Sequence, residues 1–285
     1  MKLVWLDSRG AKLSAAGRPG IDGHTASEFH HNIDSNIRKV RRLVQTGDYH
    51  FSRLRIAPIE KADGTKRIIA VPTVQDRFLQ RVVLAELNSQ KSFQVCSTIS
   101  FGFQRGRSLT EAQLRALELR QGAPWVVQAD IIKFFDRIPR RELLSKIAEK
   151  VRSKIARELL HKIVSCELDM RVPALAQIAH DAGIRQGRGL RQGMPASPAL
   201  SNLLLREFDA ALEKSHSRAV RYADDLTIFG KTKDECLRAL DQVRAQLALL
   251  KLDIPELGPL SKTKLLSPTE DAEFLGVVIR YAPER

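Results

Sequence analysis

The stretch "VRYADDLTIFG", Val220 to Gly230, sets two adjacent carboxylates, Asp224 and Asp225, between two alternating apolar segments. Val220 and Tyr222 alternate before the pair, Leu226 and Ile228 after it. The pattern predicts the two strands of a hairpin, with both aspartates at its turn. Aspartate favours turns because its side chain bonds nearby backbone amides. That accounts for one aspartate; two adjacent anions at a tight turn repel, and a cation relieves the repulsion. A third carboxylate, Asp130, follows the apolar run Trp125-Val126-Val127, where a buried strand reaches its edge. Three carboxylates at strand ends suit two magnesium ions, with manganese as a substitute. Such a pair stabilises both the attacking and the leaving oxygen of an in-line phosphoryl displacement.

The charge balance points the same way. The 285 residues carry 47 Lys and Arg against 33 Asp and Glu, a formal net charge of +14. A chain this basic is suited to a polyanion, so nucleic acid is the expected partner class. The length suffices for one large domain or two intimate ones, and a 43% hydrophobic content is ordinary for a packed core. Cys96, Cys166 and Cys236 are odd in number and lack metal-ligand spacing, so free thiols in a reducing compartment are expected. No apolar run approaches the roughly 18 residues of a membrane span. The apolar stretch at the N-terminus is too short for a signal peptide, and a cytoplasmic location is expected.

Along the chain, Thr25-Ala26-Ser27-Glu28 fits a capping box, and Phe29, Ile33, Ile37, Val40 and Val44 follow at helical spacing. Leu54, Ile56 and Ile59, then Asp63-Gly64, then Ile68, Ile69 and Val71 predict a hairpin. Thr73 to Leu87 reads as a helix, and Ser108 to Glu111 caps another that runs to about Arg120. Arg140 to about Cys166 reads as one long basic helical region, and Arg171 to Pro198 as irregular and Gly-rich. Leu200 to Leu212 and Leu237 to Leu250 mark two further helices. "LSKTKLL" and "AEFLGVVIRY" are strand-like. Helices alternating with antiparallel hairpins predict an α+β fold.

Taken together, these segments resemble a reverse transcriptase, most closely the bacterial group II intron type. "YADD" (Tyr222–Asp225) matches that family's catalytic hairpin and "ADIIKFFDRI" (Ala129–Ile138) its first catalytic strand. "LRQGMPASPALSN" (Leu190–Asn202) is similar to its substrate-binding loop and helix, and "RIAPIEKADGTKRIIAVPTVQDRFLQ" (Arg55–Gln80) to its fingers hairpin. "GIDGHTASEF", "SFGFQRGRS", "SKTKL" and "EFLG" resemble four further elements, all in the family's order from Gly20 to Ile279. The resemblance implies right-hand fingers and palm: an N-terminal element and fingers over about residues 1–122, and a palm over 123–285 with an inserted basic helical region at about 140–168.

It also implies roles. Asp130 and Asp224 would be the principal metal ligands, Asp225 would complete the acidic centre, and the carbonyl of Ile131 would add a ligand. Phe135 would pack under the sugar and exclude a 2′-hydroxyl; the competing reading makes Phe134 and Phe135 both core residues. Lys61 and Arg67, on the two strands of the fingers hairpin, would meet the incoming triphosphate. Gln192 would lie beside the base and sugar, with Gly193 letting the backbone approach the nucleotide. Lys262 would protonate the leaving pyrophosphate or, equally, be a surface lysine. Arg105 and Arg107 would meet template phosphates. Arg140, Arg141, Arg152, Lys154 and Arg157 would track structured RNA or form a solvated face.

Group II enzymes continue into a helical thumb, for which little chain remains after "EFLG"; a second copy, an accessory protein or bound RNA would then complete the grip. The Asn-Ala-x-x-His and Val-Thr-Gly elements of retron enzymes are absent from the sequence. The implied activity is synthesis of DNA on an RNA template from deoxynucleoside triphosphates, with a structured non-coding RNA in phage defence as one setting. The alternatives are a non-catalytic RNA-binding assembly factor, or a polymerase that uses ribonucleotides or no template.

Overall fold

The computed structural model describes residues 18–61, 63–90, 93, 97–215 and 217–282. In chain order the elements are α1 (Ala26–His31), α2 (Ile33–Thr46), β1 (Arg55–Glu60), β2 (Lys66–Val71), α3 (Val74–Asn88), α4 (Leu109–Gly122), β3 (Trp125–Asp130), α5 (Phe134–Arg137) and α6 (Arg140–Lys150). There follow α7 (Lys154–Val164), α8 (Pro173–Asp181), α9 (Ser197–Lys214), β4 (Arg218–Tyr222), β5 (Asp225–Gly230), α10 (Lys233–Leu249), β6 (Lys264–Leu266), β7 (Ala272–Phe274) and β8 (Val277–Ile279). This is the α+β class that the sequence predicts. The elements gather into two units, each of two separate stretches: residues 1–94 with 140–200, and 95–139 with 201–285. By this division helix α4 groups with β3 and the strands that follow it, and helices α6 to α8 group with the first unit.

In the first unit, Thr25 and Glu28 form the expected capping box at the start of α1. The helix does not run on as one rod. Asn32 leaves the helical region (φ −107°, ψ 29°), and Asn36 Nδ2 bridges the break by donating to the Phe29 carbonyl at 2.9 Å. β1 and β2 pair antiparallel from Arg55↔Val71 to Glu60↔Lys66. Their loop closes where expected: Lys61 N–H donates to the Thr65 carbonyl, Gly64 takes φ +75°, and Asp63 accepts from the Thr65 amide. The basic region beyond Arg140 is two helices rather than one, because Ser153 caps a fresh start by accepting from Ala156 N–H. The Gly-rich segment also holds a helix, α8, with Pro173 in its first turn, where its missing N–H costs nothing.

The second unit is built on a four-stranded antiparallel sheet in the order β4-β5-β3-β6. Ala112 and Ala116 of α4 join Val126, Val220 and Phe229 of the sheet in one core cluster. Small residues on the helix let it approach the strands closely. α10 lies against β3 and β5 through Cys236, Leu240, Val243 and Leu247. "AEFLGVVIRY" is not one strand but the hairpin β7–β8, turning at Leu275 (φ +51°) and Gly276 (φ +78°). Arg120 is fully buried and donates to the carbonyls of Pro124, Ser267 and Glu270, tying α4 to the chain ahead of that hairpin. Cys166 and Cys236 are buried free thiols, as expected; Cys96 lies outside the described residues. No helix among the described residues is long and apolar enough to cross a membrane.

Candidate active site

The sheet register brings the three aspartates together at one end of the second unit. β4 and β5 pair as far as Tyr222↔Asp225, which leaves a two-residue turn of Ala223 and Asp224. Asp225 therefore stands on the strand rather than in the turn. Across the next ladder it faces Asp130 directly. Like charges opposite one another destabilise a sheet, so this pairing is a cost that function has to justify. Ile131 N–H donates to the Asp224 carbonyl at 3.1 Å and holds the turn over the end of β3.

Lys262 lies on the other side of Asp130. β6 pairs with β3 through Gln128↔Lys264, so two residues further on Lys262 comes abreast of Asp130. Its ammonium bonds the Asp130 carboxylate although the side chain is 73% exposed. The row across the sheet end thus reads Asp225, Asp130, Lys262. An open cleft of about 600 Å³ meets this row, lined by Gln128, Asp130, Asp225, Lys262, Lys264 and Glu273 among others.

One lysine does not balance three carboxylates. Burial, and then the charge of Asp130, push Asp224 up to about 6. Burial, then Asp130 and Asp224, push Asp225 up to about 7. Among the described residues no three His, Cys, Asp or Glu side chains are gathered so as to hold a metal ion. The donor chemistry nevertheless fits a hard divalent cation: carboxylate oxygens held close enough that the proton affinity of Asp224 and Asp225 is raised, beside the main chain of Ile131.

The turn rests on a buried polar network that sequence reasoning missed. Arg221 is fully buried, and its guanidinium forks onto the Asp209 carboxylate of α9 at 2.7 and 2.6 Å. The same group donates to the Ala223 carbonyl at 2.7 Å, to Ser100 Oγ at 2.7 Å and to Asn202 Oδ1 at 3.3 Å. Asn202 Nδ2 donates to the Gly102 carbonyl at 2.7 Å. A Cβ at Gly102 would sit 2.6 Å from the Ala223 nitrogen, so only glycine lets that loop reach the turn. The signal was present. Arg221 alternates with Ala219 on a buried face, Asp209 interrupts the apolar stripe of Leu205, Phe208 and Leu212, and opposite charges at two core positions imply a buried pair.

The remaining expected residues fall into two groups. Phe134 is buried, whereas Phe135 is half-buried with its ring 5.3 Å from that of Phe134, so one of the two is core and the other faces outward. Arg67 is exposed on β2, while Lys61 lies one residue past β1, in the loop and not on the strand. Gln192 is half-buried and its carbonyl accepts from Ala70 N–H at 2.7 Å. The close approach permitted by Gly193 (φ +103°) is to the Ala70 carbonyl, which a Cβ would meet at 2.6 Å. Arg105, Arg141, Arg152 and Lys154 are exposed, with Lys154 4.0 Å from Glu158, and Arg157 is half-buried.

Two arginines have internal partners. Arg107 donates to the Ser97 carbonyl and lies 4.7 Å over the Phe101 ring. Arg140 is nearly buried, bonded to Glu167 at 2.6 Å and to the Gly189 carbonyl at 2.8 Å. Glu167 also takes Arg191 and the Gly187 amide, which hold its carboxyl below the usual range despite burial. Arg140 is thus paired with Glu167 within the first unit.

Comparison with known proteins gives a consistent picture. The sequence model of the family described as reverse transcriptase (RNA-dependent DNA polymerase) matches residues 59–279, more than half of the chain. Protein YkfC of Escherichia coli (strain K12) is 26% identical over 222 residues, covering 75% of this chain and 53% of that protein. The group II intron-encoded protein LtrA of Lactococcus lactis subsp. cremoris is 27% identical over 195 residues, 68% of this chain and 30% of LtrA. The retron Mx162 reverse transcriptase of Myxococcus xanthus is 30% identical over 203 residues, 70% of this chain and 40% of that enzyme. The chain matches about half of the first of these relatives and less of the others.

Proposed function

We infer, from the premise that the chain belongs to the reverse transcriptase (RNA-dependent DNA polymerase) family, that it extends a primer with deoxynucleotides on an RNA template. The observation that carries this reading is the register that sets Asp130 opposite Asp225 with Asp224 on the adjoining turn. Binding alone does not call for a cluster that pushes two of its carboxyls up to about 6 and about 7.

Asp130 and Asp224, with the Ile131 carbonyl, would hold the divalent ions and Asp225 would complete the charge. Bound magnesium supplies stabilisation of the attacking and leaving oxygens in an in-line displacement. Lys262 pairs with Asp130. Its Nζ is the donor suited to protonate the departing pyrophosphate oxygen. Phe135 offers the outward ring that would close against the sugar C2′ and refuse a hydroxyl there. The resemblance implies that Arg67, Lys61 and Gln192 would serve the incoming nucleotide. The exposed basic residues would take template and product phosphates. A structured non-coding RNA as template, in a defence setting, is suggested by the group II resemblance alone; sequencing the RNA that co-purifies from the native host identifies it.

Primer extension on an RNA template tests the reading. The wild-type chain incorporates deoxynucleotides in the presence of Mg²⁺, and Asp130→Asn or Asp224→Asn lowers the rate by several orders of magnitude while RNA binding persists. Normal extension by the folded Asp224→Asn protein refutes it.

A further inference from the structure

The turn that carries Asp224 is not self-supporting. Its first residue, Ala223, takes φ +59°, in the left-handed region that L-residues avoid and that glycine usually fills in such turns. Nothing in the local sequence favours that conformation, so it has to be imposed from outside.

The imposed restraints converge on one side chain. Arg221 Nη1 donates to the Ala223 carbonyl at 2.7 Å, fixing the peptide that precedes Asp224. The guanidinium cannot drift, because Asp209 takes it bidentately and Ser100 and Asn202 take the remaining donors. Two backbone bonds pin the main chain of Arg221 as well: its N–H donates to the Ile99 carbonyl at 2.7 Å, and its carbonyl accepts from Phe101 N–H at 2.9 Å. The 97–101 segment is itself held on α9, where Glu213 accepts from Ser97 Oγ and from the Thr98 amide. Strand, loop and helix thus share one buried charge pair. The bond to Ala223 is the part of this network that touches the catalytic turn.

We propose that Arg221, locked by Asp209, is a positioning residue that holds the Ala223–Asp224 turn so that the Asp224 carboxylate stands ready for the cation and the incoming nucleotide. The inference rests on the polymerase reading and deepens it. A structural ion pair is the competing explanation. The two differ in what happens when the pair is replaced without loss of stability: swapping a buried ion pair for apolar residues of similar volume is often neutral for folding. The double substitution Arg221→Met with Asp209→Leu leaves the core filled but removes the donor to Ala223. Arg221→Lys keeps a cation beside Asp209 and loses the planar fork that reaches both Asp209 and the turn.

The experiment measures three quantities on the wild type and on both variants: thermal melting, binding of Mn²⁺ to the otherwise metal-free protein by electron paramagnetic resonance, and single-nucleotide incorporation with kcat and KM separated. If Arg221 positions the turn, the double variant melts close to the wild type, binds Mn²⁺ at least fivefold more weakly, and loses tenfold or more in kcat with KM for the nucleotide little changed. Arg221→Lys then shows the same loss in kcat, and it alone decides the matter if the double variant does not fold. A folded variant with wild-type kcat and Mn²⁺ affinity overturns the proposal and leaves the pair a purely structural one. Absence of incorporation by the wild-type chain would instead overturn the polymerase reading, and Mn²⁺ binding would still test the role of Arg221.

Discussion

Asp224 and Asp225 hold protons that ordinary aspartates have lost, with values near 6 and 7 against 3.8. Between about pH 4 and pH 7 the folded protein therefore binds more protons at this site than the unfolded chain does. Stability that depends on these two groups must fall as pH rises through that window. Without divalent metal, raising the pH from 5 to 8 is expected to lower the unfolding free energy by roughly 4 kcal/mol through this site. Denaturant melts in a chelator at several pH values measure it. Asp224→Asn should flatten the profile, and Mg²⁺ should stabilise the wild type more at pH 8 than at pH 5. Phe135 makes a second residue-scale test. Replacing its outward ring by the smaller side chain in Phe135→Val should reduce discrimination against ribonucleotides by about tenfold or more. Unchanged competition between the two nucleotide types would return Phe135 to the core with Phe134. The aspartates were legible because charge between apolar strand residues is conspicuous. Lys262 was ambiguous until the register of β6 set it abreast of Asp130, and Arg221 was hidden because its partner lies on another element.

At the scale of elements, what the sequence conveyed depended on whether the deciding signal was local. The capping boxes at Thr25 and Ser108 and the Asp63-Gly64 turn are local chemistry, and all three form. The β7–β8 turn is hard to read from sequence because Leu275 occupies a left-handed position that Asn, Asp or Gly normally marks. Helix α8 is equally hard, because glycines on its C-terminal side mask the Pro173 start signal. Gly193 illustrates a non-local reason for a local residue. Its backbone packs against β2, where Gln192 and Ala70 share a 2.7 Å bond, and an added Cβ would collide with the Ala70 carbonyl and the Ile69 side chain. Gly193→Ala is expected to destabilise the protein by about 2 to 3 kcal/mol, because the clash and the positive φ act together. Gly187 has φ +74° with open space where a Cβ would stand, so Gly187→Ala should cost only about 1 kcal/mol from strain alone. Equal melting shifts for the two variants would show that the packing against β2 contributes nothing.

Across the whole molecule the excess of 14 positive charges suits an anionic partner, but the charges are not equivalent. Arg140 is nearly buried and paired with Glu167, and Arg120 and Arg221 are consumed inside the second unit. Arg38, Lys39, Arg41 and Arg42 on α2, and Arg152 and Lys154 at the start of α7, are exposed. Each exposed cation that neutralises an RNA phosphate releases counterions, so affinity should fall steeply with salt, and the slope should report how many phosphates are neutralised. Arg41→Glu with Arg42→Glu, or Arg152→Glu with Lys154→Glu, is expected to weaken binding of a structured RNA. Either pair should also lower the slope of log affinity against log salt by about one for each phosphate no longer neutralised. Arg140→Ala should behave in the opposite way. It leaves Glu167 short of a partner in a half-buried site, which costs on the order of 3 kcal/mol of stability, and the salt slope should stay unchanged. Filter binding at several salt concentrations, with melting curves on the same proteins, separates the two classes. A salt slope indifferent to both surface pairs would move the RNA contact off these helices. A slope that fell with Arg140→Ala would place that arginine among the RNA contacts despite its bond to Glu167.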